Sequence, residues 1–476
     1  MTKFFGRFQE LSTLETAYQS DRAEFIVLYG RRRIGKTSLL SKFCYGKPSL
    51  YFSAKQINDK IQLKDFSRRV IEAGAPLGRY VSSFETWDVA FEQCSALSTD
   101  KEKFVLILDE FPYMAEGNKS IASVLQHLWD HQLSRKNIMI VLCGSSMSFM
   151  EKEVLGEKSP LYGRATHTIK LGPMRYTEAM EFFPNYSTCD KILSYAVLGG
   201  SPYCLSCFDD HRSFKKNVIE TILRPSGRLW DYPATLIHQE CREPSRYNDI
   251  LTAVACGATR FSELVSKTGI VSANLPRFLN NLEIMGFIRR EFSIDTPVKQ
   301  KSVRQRGLYR LGDPFVSFWY RYVWSNLDFL TMGGAEQLWK QLIEPQLNEL
   351  ASFPFEDMCR QYLWTQNVKN GLPFLVSHIG RWWNKSSEID LLALSFDGHS
   401  GLLGECKFKN SPMVLKDFLA LKQKAEVLHF DKKYFMLFSL SGFSPELKQL
   451  AQNPRERLCL VEANELVPIH KESNDE

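Results

Sequence analysis

Apolar and polar positions are arranged differently in each third of the chain. In the first third, the unbroken apolar runs Phe25 to Tyr29, Phe104 to Leu108 and Ile138 to Cys143 have the length of strands, and Thr37 to Phe43 has helical spacing. Strands alternating with helices predict a parallel sheet flanked by helices. In the middle third the period becomes that of short amphipathic helices at Tyr247 to Cys256, Phe261 to Thr268 and Ser272 to Met285. A turn at Gly286 leads into Phe287-Ile288-Arg289-Arg290 and a basic stretch ending in Leu308-Tyr309-Arg310-Leu311. Three helices and a basic hairpin predict a winged helix-turn-helix. In the last third, positions 352, 355, 356, 359, 362 and 363 share one helical face, and Glu388 to Leu394 and Leu402 to Phe408 read as strands joined through Asp397-Gly398. A helix from Pro412 to Leu428 follows.

Gly312-Asp313-Pro314 marks a boundary, after which Phe315 to Trp324 is strongly aromatic. Bulky aromatics dominate cores, so a buried helix between the middle and last domains is expected; stacking on bases is the other use of such a run.

The length, 476 residues, suggests about three domains at roughly 100–200 residues each. Hydrophobic residues make up 44% and no apolar stretch approaches the ~20 residues of a membrane span. Met1 to Glu10 lacks the apolar core of a signal peptide, so a cytoplasmic protein without a membrane partner is expected. Eleven cysteines without regular spacing predict reduced thiols rather than a disulfide framework, and the single Cys204/Cys207 pair is too little for zinc. The net charge of +6 is mild, but Arg289 to Arg310 alone carries a local balance of +5, which points to phosphate contacts.

Gly30-Arg31-Arg32-Arg33-Ile34-Gly35-Lys36-Thr37 fits G-x-x-x-x-G-K-[ST] at every fixed position, between a strand and a helix, and with Ser38 forms the expected nucleotide-binding segment. The glycines let backbone N–H groups turn onto phosphate oxygens, Lys36 places a cation on the β/γ-phosphates, and the Thr37 hydroxyl ligates magnesium. Asp109 and Glu110 end the second apolar run, where Asp109 would hold magnesium through water and Glu110 would polarise the attacking water. Ser145, after the third run, lies where a polar side chain could report on the γ-phosphate. Arg164 is a charge-stabilising arginine in cis or in trans, or else a surface salt bridge.

Phe5-Gly6-Arg7 with Glu10-Leu11, then YGRRRIGKTSLL, LILDEFPYM, LCGSSMSFM, SPLYGRA and LGGSPYCL, together resemble the archaeal-type ATPases of the AAA+/STAND group over roughly Met1 to Glu240. The resemblance implies that ATP and Mg2+ bind, that Phe5, Gly6, Arg7 and Pro202 flank the adenine, and that a helical lid follows the core. Ser145 stands where other AAA+ proteins commonly carry asparagine.

In the last third, Glu356 is the one charge on a largely apolar helical face, and burying a carboxylate requires a metal or a cationic partner. By period-two alternation Glu405 and Lys407 share a strand face, with Asp390 near the opposing position of the hairpin. Asp390 and Glu405 can hold a divalent metal while Lys407 steadies the attacking hydroxide. The order of helix Glu, strand Asp, strand Glu-x-Lys and helix resembles the PD-(D/E)XK nucleases. More narrowly, FEDMCRQYL, EIDLLAL and GECKF look like the C-terminal domain of unknown function that accompanies these ATPases. The resemblance assigns catalytic places to Glu356, Asp390, Glu405 and Lys407, with Ile389 where the motif's name has proline and Lys416 or Lys422 assisting.

The expected whole is a multidomain α/β chain: P-loop parallel-sheet ATPase core at 1–172, helical lid at 173–243, winged helix-turn-helix at 244–312, helical linker at 313–345 and α/β nuclease-like domain at 346–476. Two functions stay side by side. One is ATP-controlled, metal-dependent DNA cleavage; the other is a regulatory or defence switch that binds DNA or a partner without cleaving. DNA and further copies of the chain are the expected macromolecular partners.

Overall fold

The computed structural model describes residues 4–301 and 307–467. The chain forms two compact units, Met1–Pro173 with Ser201–Tyr203, and Met174–Gly200 with Cys204–Glu476. The segments expected as lid, winged helix, linker and nuclease-like domain fall mostly in the second.

The first unit is built on β1 (Glu24–Tyr29), β2 (Ser49–Ser53), β3 (Phe104–Asp109), β4 (Ile138–Gly144) and β5 (His167–Lys170), all parallel, in the order β2-β3-β4-β1-β5. The three central strands are buried at every position, which is why they read as unbroken apolar runs. Ile26, Leu28, Val105, Ile107, Met139 and Val141 pack against Leu39, Leu40 and Phe43 of the helix Lys36–Cys44 and against Leu14 and Ala17 of the helix Phe8–Tyr18. With β4 between β1 and β3, the carboxyl ends of the two strands that carry the glycine-rich loop and Asp109-Glu110 open on one edge, where open α/β sheets bind ligands.

In the second unit the helices Pro244–Ala255, Phe261–Thr268 and Leu275–Ile284 precede an antiparallel pair, β6 (Ile288–Glu291) and β7 (Leu308–Leu311). The aromatic run is helical and its rings are buried except for the half-buried Trp324: Trp319 Nε1 donates to Trp230 O (2.6 Å) and the Tyr320 hydroxyl to Asn248 Oδ1 (2.6 Å). Then come β8 (Val376–Trp383), β9 (Glu388–Ser395), β10 (Ser400–Lys407), β11 (Lys432–Ser439) and β12 (Leu458–Glu462), in the order β12-β11-β10-β9-β8. The first three strands form an antiparallel meander, while β10, β11 and β12 are parallel and connected through the helices Leu415–Ala425 and Pro445–Ala451. Leu403 packs with Phe418, Leu421 and Leu437 in the core beneath Leu415–Ala425. The 22-residue helix Leu347–Val368 also packs on this sheet, with the Phe355 and Phe408 rings 5.6 Å apart. Among the described residues no helix is long and apolar enough to cross a membrane.

The end of that long helix is tied to β8 by one side chain. Asn367 Nδ2 donates to Val376 O (3.0 Å), and Val376 N donates to Asn367 Oδ1 (2.8 Å), all buried. Replacing the amide with an apolar isostere strands two backbone groups away from water. Asn367→Leu is therefore expected to cost about 1–3 kcal/mol for each group, read as a lower urea midpoint with unchanged slope. An unchanged midpoint would show that water reaches Val376.

Candidate functional site

The glycine-rich loop leaves β1 and closes into the helix Lys36–Cys44. A Cβ on Gly30 would lie 2.4 Å from Leu171 O, so only glycine fits. Arg33 (φ 63°) and Gly35 (φ 96°) adopt the left-handed conformation, and the Arg33 guanidinium lies 4.1 Å over the Tyr203 ring. Lys36, 6% exposed, turns back over the loop and donates to Gly30 O (2.7 Å) and Arg31 O (3.0 Å). Thr37 and Ser38 are exposed on the first helical turn, whereas Ile34 is buried beneath the loop. Arg32 Nη2 donates to the Tyr113 hydroxyl (2.6 Å).

The amino-terminal segment braces this loop. Gly6 and Arg7 have φ of 58° and 61°, and Arg7 Nη2 donates to Ile34 O (3.1 Å) and Gly172 O (2.7 Å). Phe5 is half-buried beside them. Pro202 borders the loop from the other side, its Cγ 3.5 Å from where a Gly35 Cβ would lie.

Asp109 is 7% exposed and accepts a hydrogen bond from the Tyr51 hydroxyl, which also meets the Thr37 side chain. Burial, then Asp109, hold Tyr51 far above its ordinary pKa. The two residues expected to serve magnesium are thus bridged by a phenol that sequence reasoning missed, because β2 is too short and mixed to announce itself. Glu110 (φ 54°) accepts from Ser145 N (3.1 Å) and Ser145 Oγ (2.8 Å), so the serine meets the expected general base directly. Arg164 forms a bidentate pair with Asp130, at 3.0 Å and 2.8 Å, and among the described residues makes no contact with the glycine-rich loop. In this structure it is the surface salt bridge.

The hairpin of β9 and β10 brings Asp390 beside Glu405. Asp390, 8% exposed, accepts from Cys406 N (2.9 Å) and has no ion pair among the described residues. Glu405 accepts from Lys407 Nζ (2.6 Å) and from Lys424 Nζ (3.1 Å). The lysine of the following helix that reaches Glu405 is Lys424; Lys416 is exposed and Lys422 pairs with Glu456 at 2.8 Å. The register of Leu415–Ala425 decides this, since Phe418, Leu421 and Ala425 are the positions that face the sheet. Against its burial, Glu405 raises the pKa of Lys407.

Glu356 has the cationic partner that its burial requires. Arg381 of β8, 7% exposed, lies 3.3 Å from Glu356, 3.6 Å from Glu291 and 3.3 Å from Glu388. Glu356 and Asp390 feel one another's charge, yet the three carboxylates are not gathered tightly. Among the described residues, three such ligand atoms lie within 4.8 Å of one another only at Asp209, Asp210 and His211, a mostly exposed set. A buried carboxylate with no cation of its own, between two others, fits a hard divalent ion, and Asp390 is that carboxylate.

The basic hairpin differs from expectation. Arg289 pairs with Asp357 (2.6 Å), Arg310 with Glu291 (2.7 Å) and Arg290 with Glu283 (3.9 Å), so each of these cations has an acidic partner within the chain. Arg304 and Arg306 lie outside the described residues. On the helix expected to read a groove, Arg277 pairs with Glu243, and Asn281 Nδ2 donates to the Tyr247 hydroxyl (2.9 Å).

Burial, then the charge of Asp390, push Glu356 up to about 8; burial, then Glu405, push Asp390 up to about 6 against the Cys406 N–H. Carboxyls raised in the folded chain favour folding while protonated, and that contribution is lost as pH rises through about 6 and about 8. The melting temperature of the metal-free protein, relative to Asp390→Asn, is expected to fall as pH rises from about 4, the ordinary carboxylate value, through about 6. Calorimetry showing a constant difference would mean that burial does not raise the Asp390 carboxyl.

The pattern of an ATPase domain predominantly from Archaea matches residues 4–208, and that of archaeal and bacterial proteins of unknown function matches residues 319–426. The chain is 31% identical over 442 residues to the uncharacterized protein MJECL04 of Methanocaldococcus jannaschii, covering 91% of this chain and 95% of that one. A 44-residue stretch, 9% of the chain, is 48% identical to the uncharacterized ATP-binding protein MJ0423 of the same organism and covers 75% of it. Among solved structures, the Walker-type ATPase PABY2304 of Pyrococcus abyssi superposes with a TM-score of 0.50 at 22% identity, over 67% of this chain and 96% of that one, a likeness of fold. A parallel-sheet P-loop core joined to a separate carboxy-terminal α/β region, with 31% identity to MJECL04 over nearly the full length, places the chain in the family of P-loop ATPases found predominantly in Archaea.

Proposed function

We propose that the chain binds and hydrolyses ATP at the glycine-rich loop and uses the nucleotide state to control metal-dependent cleavage of DNA by its carboxy-terminal region. The observation that carries the second half is Asp390, a buried carboxylate beside Glu405 that forms no ion pair among the described residues.

At the first site the loop N–H groups and Lys36 bind the phosphates, and Lys36 exchanges its contacts with Gly30 O and Arg31 O for phosphate oxygens. Phe5, Gly6, Arg7 and Pro202 flank the base. Thr37 and Asp109 would hold magnesium once the Tyr51 hydroxyl gives way, and the ion, when bound, supplies charge neutralisation on the phosphates. Glu110 orients and deprotonates water when it is free of Ser145. Arg164 contributes only if it leaves Asp130, which makes a second copy of the chain its most natural target.

At the second site Asp390 and Glu405 would hold a divalent cation, which supplies a hydroxide nucleophile near neutral pH. Lys407 stabilises the negative charge that develops on the phosphate, with Lys424 orienting Glu405 from the opposite side. Glu356 completes the acidic set when released by Arg381. The three-helix and hairpin segment is a winged helix that positions the chain on DNA. A second reading, an ATP-controlled switch that binds without cutting, is favoured by the three cations Arg381, Lys407 and Lys424 that already neutralise the acids.

Lys36→Ala is expected to abolish ATP binding by calorimetry, and Glu110→Gln to keep binding and lose turnover; equal affinity in Lys36→Ala would refute the nucleotide site. Separately, plasmid and linear DNA incubated with ATP and Mg2+ or Mn2+ should be cut by the wild type and left intact by Asp390→Ala and Lys407→Ala, with ATP hydrolysis unchanged in both. Cutting that survives Asp390→Ala would place the activity elsewhere, and an uncut substrate with nucleotide-dependent DNA binding would establish the switch.

A further inference from the structure

A cleft of about 380 Å³ lies where β7 faces the end of the β8–β9 hairpin. Its walls include Arg310, Arg381, Trp383, Asn384, Ser387 and Glu388. The two arginines are largely buried, Trp383 is half-buried, and Asn384 and Glu388 stand exposed on the rim. An arginine offers five N–H donors, yet among the described residues Arg381 makes a single side-chain hydrogen bond, from Nη2 to Glu388 (3.3 Å), and Arg310 makes none. Their ion pairs with Glu291 and Glu356 bring charges close without aligning N–H to oxygen: Arg310 Nε, Arg381 Nε, Glu291 Oε2 and Glu356 Oε2 are all buried and unbonded. The cleft therefore holds two planar donor forks with unused capacity beside an indole.

We propose that this cleft binds one nucleotide of a single-stranded nucleic acid, its phosphate on Arg310 and Arg381 and its base stacked on Trp383. The volume is at the lower end of sites for small organic groups, about 300–1,000 Å³, enough for a nucleotide and too little for a duplex. Stacking on an indole requires an unpaired base. Glu388 is the competitor. It is 65% exposed, so its pair with Arg381 is weak and a phosphate displaces it, leaving Arg310 and Arg381 balanced by Glu291 and Glu356. Arg381 also touches Glu356, so a strand seated here passes beside the acidic cluster. The inference rests on the reading of that cluster as a nucleic-acid site, and deepens it by naming an unpaired strand as its substrate.

The test measures fluorescence anisotropy of labelled oligo(dT) with the full chain in EDTA, next to oligo(U) and a duplex of equal length. Tighter binding of the single strands than of the duplex is expected, and the ratio of oligo(dT) to oligo(U) tells DNA from RNA. Trp383→Ala is expected to weaken oligo(dT) about 5- to 150-fold, from the ~1–3 kcal/mol of one stacked base, while Trp383→Phe keeps most of the affinity. Arg310→Ala should weaken binding and lower the salt slope by about 0.7, with Arg310→Lys losing part of it. Glu388→Gln should tighten binding, an outcome that a merely structural role of the residue does not produce. Wild-type protein that ignores oligo(dT), or Arg310→Ala and Trp383→Ala that bind it as wild type does, overturns the proposal. Asp390→Ala separates the two ideas, because it should lose cleavage and keep oligo(dT) binding. Absence of cleavage in the wild type with intact cleft effects would sink only the nuclease reading.

Discussion

The carboxy-terminal half of the molecule is organised around one guanidinium withdrawn from water. Arg381 sits among Glu291 of the β6–β7 pair, Glu356 of the long helix and Glu388 of β9, with the Phe353 ring 5.0 Å away. A buried ion without partners costs several kcal/mol, so the β6–β7 pair and the long helix, which supply its buried acids, cannot shift independently of β8. The backbone follows the same seam. Ile294 N donates to Arg381 O (2.9 Å), Ser293 Oγ accepts from Trp383 N (3.2 Å) and Trp382 Nε1 donates to Asp295 Oδ2 (2.9 Å). These contacts cover β8, the edge strand of its sheet, which would otherwise offer unpaired groups to another chain.

That constraint explains why a hairpin rich in arginine does not simply face solvent. Arg289 pairs with Asp357 of the long helix, and Arg310, paired with Glu291 of its own hairpin, lies 4.2 Å over the Phe353 ring of that helix, so the hairpin is held against it. Desolvation lowers the pKa of Arg310 despite the acids around it.

Both candidate sites keep most of their charged groups occupied by groups of the chain itself. Lys36 rests on loop carbonyls, Asp109 on Tyr51, Glu110 on Ser145, Glu356 on Arg381 and Glu405 on two lysines. Each placeholder resembles in charge or hydrogen bonding what the ligand would offer, so binding exchanges one partner for another and leaves no buried charge alone. Asp390 is the exception, satisfied by a single backbone N–H.

The sequence by itself determined the elements whose chemistry is local. β1, β3 and β4 are buried on both faces and so announce themselves as apolar runs; the glycine-rich loop needs its residues at fixed spacing, and Asp390, Glu405 and Lys407 follow from two-residue alternation across a short hairpin. The edge strands β2 and β5 escaped notice because half-exposed residues carry no such run. What only the tertiary structure decided is which charge answers which. Tyr51 meets Asp109 across 58 positions, Ser145 meets Glu110 across 35, and Lys424 meets Glu405 across 19. Arg381 reaches acids on three separate elements. No periodicity records such pairings, because they arise from sheet order and helix register, and burial alone makes them obligatory.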